Sequence, residues 1–136
     1  MPAVLVDAGP LVAFLDRSDP RHAECVQTAQ TINDPLVTVW PALTEAMYLL
    51  RLFWDAQAAL CEMVETEAVR LVPLDRADVP RIKELMRKYR DRPMDLADAA
   101  LVRAAEREKL RRIFTTDRRD FEVYRPARLG RFSILP

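Results

Sequence analysis

Carboxylates dominate the residues of this sequence that can do chemistry: 12 Asp and 9 Glu, against one histidine, His22, and two cysteines, Cys25 and Cys61. One histidine excludes acid–base catalysis by a histidine pair and a multi-histidine zinc site. A nucleophilic pair of Cys25 and His22 would lie on one short segment with no third group to orient it. His22 itself, in a polar stretch after Pro20, reads as a solvent-facing residue near a helix start. The two thiols are too few and too far apart for a disulfide scaffold or a four-ligand zinc site. Two glycines, Gly9 and Gly130, exclude a P-loop and a dinucleotide fingerprint, which need several glycines at fixed offsets so that backbone can wrap phosphate.

Five acids stand out by position. Asp7 ends the apolar run Val4-Leu5-Val6, and Asp117 follows Ile113-Phe114-Thr115-Thr116. In an open parallel sheet, ligands bind beyond the carboxyl ends of the strands, so these two share a crevice if their strands are neighbours. Each also reads as a helix N-cap. Glu45 is the only charged residue between Asp34 and Arg51. A lone carboxylate on an apolar helix is costly without a partner or a cation, although a helical wheel places it opposite Leu43, Ala46, Met47 and Leu50, where it would face water. Asp95 and Asp98 are three apart at a helix start, on one face. Asp95 suits the N-cap, and Asp98 suits the positive end of the helix dipole with or without a function. Converging carboxylates with no Lys or Arg among them repel one another unless a cation is present. Hard oxygen ligands select Mg²⁺ or Mn²⁺ over zinc.

The elements that must position these acids follow from pattern. Val4–Val6, Leu36–Val39, Val69–Val72, Arg112–Thr115 and Phe132–Leu135 read as strands, the first continuously apolar as a strand buried on both faces is, and the second read as buried too. Between them lie a short helix after Gly9-Pro10 and one from Pro20 to about Ile32, with Asp19 as its cap. Others run from Pro41 to about Leu52 and from a cap at Asp55 to about Thr66. An amphipathic helix over 75–90 places Val79, Ile82, Leu85, Met86 and Tyr89 on one side, and an alanine-rich helix runs from Asp95 to about Lys109. A turn of helix lies between Thr116 and Tyr124. Strands separated by helices of this length pair in parallel. The expected fold is a three-layer α/β/α sandwich around a mostly parallel sheet of four or five strands, one domain over 1–136.

Length and charge bound the class. A chain of 136 residues buries enough surface to fold without metal or disulfide. Lys+Arg and Asp+Glu balance at 21 each, but residues 1–102 carry a net −5 and residues 103–136 a net +5. Eighteen of the basic residues are Arg, whose planar fork suits phosphate oxygens. A basic last third beside an acidic body fits an anionic polymer as substrate. Nothing approaches the roughly 20 apolar residues of a membrane span. The start lacks a basic n-region and carries Asp7 where a secretory signal would be apolar. A cytoplasmic location is therefore expected.

Four of these pieces together resemble the PIN-domain ribonucleases, in particular the VapC-type toxins of bacterial and archaeal toxin–antitoxin pairs. They are Val4-Leu5-Val6-Asp7-Ala8-Gly9-Pro10, Glu45 on a helix after a buried strand, Asp95-Leu96-Ala97-Asp98-Ala99-Ala100-Leu101, and Phe114-Thr115-Thr116-Asp117-Arg118-Arg119-Asp120-Phe121. The resemblance covers essentially the whole chain. It implies that Asp7, Glu45, Asp98 and Asp117 are an acidic quartet around Mg²⁺ or Mn²⁺, with Asp7 and Asp98 as direct ligands and Asp95 as a cap or auxiliary acid. Thr115 or Thr116 would orient a carboxylate or a bound water. Arg112, Arg118 and Arg119 would hold the RNA backbone. It further implies a small antitoxin partner carrying a DNA-binding domain, and a homodimer.

Rival readings are a receiver-type signalling domain, a catalytically silent PIN-like binding module and a structure-specific DNA nuclease. The receiver needs a lysine on a late strand, and the last lysine, Lys109, lies ahead of the fourth strand. The DNA nuclease needs flap-guiding elements for which this chain has little room. The stretch Ala46–Trp54 is rich in large apolar side chains. Core packing accounts for most of them, and a dimer or antitoxin groove for the rest.

Overall fold

The structure is a computed structural model and describes residues 2–136. Five three-residue strands, β1 (Val4–Val6), β2 (Leu36–Thr38), β3 (Val69–Leu71), β4 (Arg112–Phe114) and β5 (Ser133–Leu135), form one sheet in the order β3-β2-β1-β4-β5. Every pairing is parallel. The expected sandwich is therefore present, with five strands. The winding reverses between β1 and β4, so the carboxyl ends of these two strands flank the topological switch.

Alternation along each strand sends side chains to two cores. Leu5 and Ile113 point into one, with Leu85, Ala100, Leu101, Phe121, Tyr124 and Phe132. Val4, Val6 and Phe114 point into the other, with Leu11, Cys25, Leu43, Ala46 and Leu60. The second face is covered by α1 (Ala8–Leu15), α2 (His22–Gln30), α3 (Trp40–Leu49) and α4 (Trp54–Glu65). The first is covered by α5 (Val79–Lys88), α6 (Leu96–Glu108) and the single turn α7 (Arg118–Phe121). Alanines let α6 approach closely: Ala97, Ala99, Ala100, Ala104 and Ala105 are all buried.

Several local expectations are corrected. The large apolar side chains of Ala46–Trp54 are mostly not core: Tyr48, Leu49, Leu52, Phe53 and Trp54 are exposed. Asp19 accepts a hydrogen bond from the Arg21 amide (2.8 Å) in a turn, and α2 begins only at His22. His22 does not face solvent: it is half-buried, and its Nδ1 lies 2.6 Å from the Ala13 carbonyl oxygen, tying α2 to α1. Asp55 sits inside the first turn of α4, with Phe53 at the cap. The helix over 75–90 splits, because Asp75 and Asp78 cap one another around a 3₁₀ turn at Arg76–Asp78. Val79 then opens α5 with 53% of its surface exposed rather than joining the apolar side. Buried Asp78 also accepts from Arg103 (2.8 Å) and Arg107 (3.0 Å), which binds this turn to α6.

Candidate active site

Asp7 leaves the sheet directly from β1. Its amide still donates to the Phe114 carbonyl (2.9 Å), so its position is fixed by the β1–β4 ladder. The carboxylate is buried. One oxygen accepts from the Ala8 amide and the other from the Thr115 hydroxyl, both at 2.8 Å. Thr115, itself buried, also accepts from the Asp117 amide at 2.9 Å. One hydroxyl thus links the acid of β1 to the segment after β4 that carries Asp117. Thr116 has a different task. It fills the space against Gly9, where an added Cβ would stand 2.2 Å from its Oγ1. Glycine in the first turn of α1 is what lets the two segments meet.

Asp95 caps α6, its carboxylate accepting from the Asp98 amide at 2.8 Å. Asp98, in the first turn, is half-buried and accepts from the Tyr124 hydroxyl at 2.8 Å. Tyr124 is fully buried and packs edge-on against Tyr89 and Phe121. A buried tyrosine of this kind needs a partner for its hydroxyl, and here the partner is a candidate catalytic acid. The sequence reading missed Tyr124. The signal available was an aromatic with a polar tip next to a helical turn rich in acids.

Glu45 does not face water. It is half-buried on α3, and with Asp95 it borders a cleft of about 590 Å³ whose walls include Trp40, Tyr48 and Leu96. Burial pushes the Glu45 carboxyl above the usual range, and the charges of Asp7, Asp95 and Asp117 push it further. Burial likewise raises Asp98, to about 8. The Tyr124 hydrogen bond opposes this, while Asp7, Asp95 and Asp117 add to it. Asp7 is raised by burial against the pull of its two hydrogen bonds, with Asp117 and Asp95 contributing upward. Asp117 is raised by burial and by neighbouring Asp120, while Arg119 lowers it. The structure therefore brings Asp7, Glu45, Asp95, Asp98 and Asp117 into one electrostatic neighbourhood. Among the described residues, none of these five forms an ion pair with Lys, Arg or His.

The arginines divide. Arg119 is exposed beside Asp117. Arg118 is exposed and reaches the Pro136 carbonyl oxygen (2.6 Å) and Glu122 (3.3 Å). Arg112 is not brought to the acids. It opens β4, at the amino edge of the sheet, and pairs with Asp34 ahead of β2.

No three His, Cys, Asp or Glu side chains among the described residues stand close enough together to hold one metal ion as placed. The donor set nevertheless fits a hard divalent cation. It is all carboxylate, it lacks a basic counter-ion, and burial and mutual repulsion raise its proton affinity, the condition a cation relieves. Asp7 has both oxygens committed to hydrogen bonds, so it enters such a site pre-oriented.

Comparison with known proteins places the chain in a family. The PIN-domain family model matches residues 4–126. Over 135 residues the chain is 32% identical to ribonuclease VapC26 of Mycobacterium tuberculosis, covering 98% of this chain and all of that protein. Among solved structures, M. tuberculosis VapC20, a toxin that cleaves the sarcin–ricin loop, superposes with a TM-score of 0.75 at 18% identity, over 81% of this chain and 86% of that one. VapBC2 of Rickettsia felis, bound to a fragment of its promoter DNA, superposes with a TM-score of 0.62 at 11% identity over the full length of both. These last two bear on the fold alone. The chain belongs to the PIN-domain family and is related to the mycobacterial VapC toxins.

Proposed function

We propose that this protein is a Mg²⁺- or Mn²⁺-dependent endoribonuclease and the toxin component of a toxin–antitoxin pair. The observation that carries the reading is the Asp7–Thr115–Asp117 chain, with the Asp98 and Glu45 carboxyls raised by burial and by the same acids, and with none of the five acids in an ion pair among the described residues. The relative that aligns end to end is itself named a ribonuclease.

In this reading Asp7 and Asp98 hold the cation. The chemistry such an ion supplies when bound is polarisation of the scissile phosphate and a lowered pKa for a bound water. Thr115 fixes the Asp7 carboxylate through its hydroxyl and the Asp117 backbone through its lone pair. Tyr124 fixes Asp98. Glu45, whose proton affinity is raised by burial, accepts the proton of the attacking water, with Asp117 as the other acid placed to do so. Asp95 holds the first turn of α6 that presents Asp98. Arg119, whose charge acts on Asp117, is the guanidinium offered to the substrate phosphate in this reading. The partners that go with this reading are RNA, a small DNA-binding antitoxin and a second copy of the chain, in the cytoplasm. Among the described residues no helix is long and apolar enough to cross a membrane.

The test is cleavage of a panel of single-stranded and hairpin RNAs by purified protein with Mg²⁺, Mn²⁺ or EDTA. Cleavage that needs the divalent ion and is lost in Asp7→Asn and Asp98→Asn is expected. Undiminished cleavage in either variant, or none by the wild type on any RNA, rejects the reading in favour of a silent binding module.

A further inference from the structure

We propose that a cleft beside the carboxylate crevice, lined by Arg118, Arg125 and Arg131, binds the sugar–phosphate backbone of single-stranded RNA. The proposal rests on the ribonuclease reading and adds to it where the strand runs. The cleft measures about 550 Å³ and lies between the segment after α7 and the outer edge strand β5. Its floor includes Phe132 and Ile134, and Glu122 is its one carboxylate.

The guanidinium groups are available. Arg131 makes no side-chain hydrogen bond or ion pair among the described residues, and its side chain is exposed at the cleft rim. Arg125 uses only Nη1, which donates to the carbonyl oxygens of Glu122 and Tyr124 (3.1 Å to the latter), leaving Nε and Nη2 unengaged. Arg118 shares Glu122 at 3.3 Å and donates to the Pro136 carbonyl oxygen. By contrast, Arg81, Arg103 and Arg107 on α5 and α6 are each matched to buried carboxylates of Asp78 or Glu106. A guanidinium offers five donors in a fixed fork. Three of them around one carboxylate leave donors and positive charge facing an anion.

Continuity with the crevice selects the ligand. Arg118 directly follows Asp117 and reaches past the carboxyl end of β5, whereas Arg131 and Phe132 precede the amino end of that strand. The cleft therefore descends along the sheet edge from the end where the acids converge. A polyanion approaching this cluster of acids is repelled, and Arg119 beside Asp117 offsets only part of that repulsion. Its flanking phosphates need cations outside the crevice, and this cleft supplies them within reach of the same strand. Backbone contacts of this kind give affinity and register without reading bases.

The test measures binding of a fluorescein-labelled 12-nucleotide RNA of mixed sequence by anisotropy between 50 and 300 mM KCl. Asp98→Asn protein in EDTA serves as host so that nothing is cut. Adding Arg125→Gln and Arg131→Gln is expected to raise Kd about tenfold at 100 mM KCl. The salt slope should shallow by about 1.4, at about 0.7 per phosphate contact on a single strand. Arg70→Gln on β3, the edge strand opposite β5, serves as a distant control, expected within twofold of the host. Because Arg125 also caps two carbonyls, Arg131→Gln alone provides a variant that removes no side-chain hydrogen bond or ion pair seen among the described residues, and about threefold weaker binding is expected from it. Binding by both cleft variants within twofold of the host, with an unchanged slope, overturns the proposal and leaves the cleft to an acidic protein segment. Failure of the wild type to cut any RNA removes the ribonuclease reading while these binding curves still judge the cleft. Absence of RNA binding by the host itself overturns the proposal outright.

Discussion

Asp98→Asn should make the metal-free protein more stable and the metal-loaded protein less stable than wild type. The amide keeps the side chain's shape and an oxygen for the Tyr124 hydroxyl, and removes only the charge. The Asp98 carboxyl is raised from 3.8 to about 8, first by burial and then by Asp7, Asp95 and Asp117. At about 1.36 kcal/mol per pH unit, the full shift is a ceiling of roughly 6 kcal/mol against carrying that charge in the folded state. Residual solvent access and relaxation at this half-buried site reduce the realised cost to about 2 kcal/mol. The folded pKa lies above the unfolded one. The penalty is therefore absent below about pH 4, grows as pH rises, and is complete above about pH 8. Removing it should raise Tm by roughly 6–8 °C at pH 8.5 in EDTA, for a domain of this size, and by little at pH 4.5. Saturating Mn²⁺ should reverse the order, since a ligand at 100 times its Kd adds about 2.7 kcal/mol to whichever protein binds it. Thermal unfolding at the two pH values, with and without Mn²⁺, reads all of this. An Asp98→Asn protein no more stable than wild type at pH 8.5 in EDTA would show that the Asp98 charge carries no folding penalty.

Three further outcomes follow from the same geometry. Tyr124→Phe keeps the ring contacts with Tyr89 and Phe121 but removes the donor that favours the charged form of Asp98. Calorimetry should show Mn²⁺ affinity weakened about tenfold or more, and the pH midpoint of binding moved upward. Gly9→Ala would improve an ordinary helix by about 0.5–1 kcal/mol. Here the new Cβ meets Thr116 Oγ1 at 2.2 Å, so a loss of about 1–3 kcal/mol in urea unfolding is expected, most of it recovered by Thr116→Ala in a double-mutant cycle. Thr115→Val leaves the Asp7 carboxylate and the Asp117 amide without their shared partner. Unfolding should show a cost of about 1–3 kcal/mol, with divalent-ion binding reduced alongside.

The architecture was largely legible because its signals are local. Val4-Leu5-Val6 is apolar on both faces, as a central strand must be, and Asp95 ahead of an alanine-rich run reads directly as the cap it proves to be. Glu45 was ambiguous for a definite reason. The wheel of α3 shows which side is apolar but not that the start of α6 lies beside the other side, making a cleft of what looked like open surface. Tyr124 was invisible as a partner of Asp98, since the two are 26 residues apart and only the tertiary fold joins them. His22 followed the same logic, its carbonyl partner being nine residues back on another helix. The distance of Arg112 from the acids was readable in advance. As the first residue of its strand it had to lie at the amino edge, away from acids that follow the carboxyl ends.

If these carboxylates hold a divalent cation as proposed, calorimetric titration of Mn²⁺ into the metal-free protein at pH 7 will show it. With Asp98 at about 8, about nine-tenths of that carboxyl is protonated at pH 7. Saturable binding should therefore release close to one proton per ion, seen as a dependence of the heat on the buffer's ionisation enthalpy, and Asp98→Asn should lose both the binding and the proton. No saturable heat in the wild type, or binding equally tight in Asp98→Asn, would mean that these carboxylates are not a metal site.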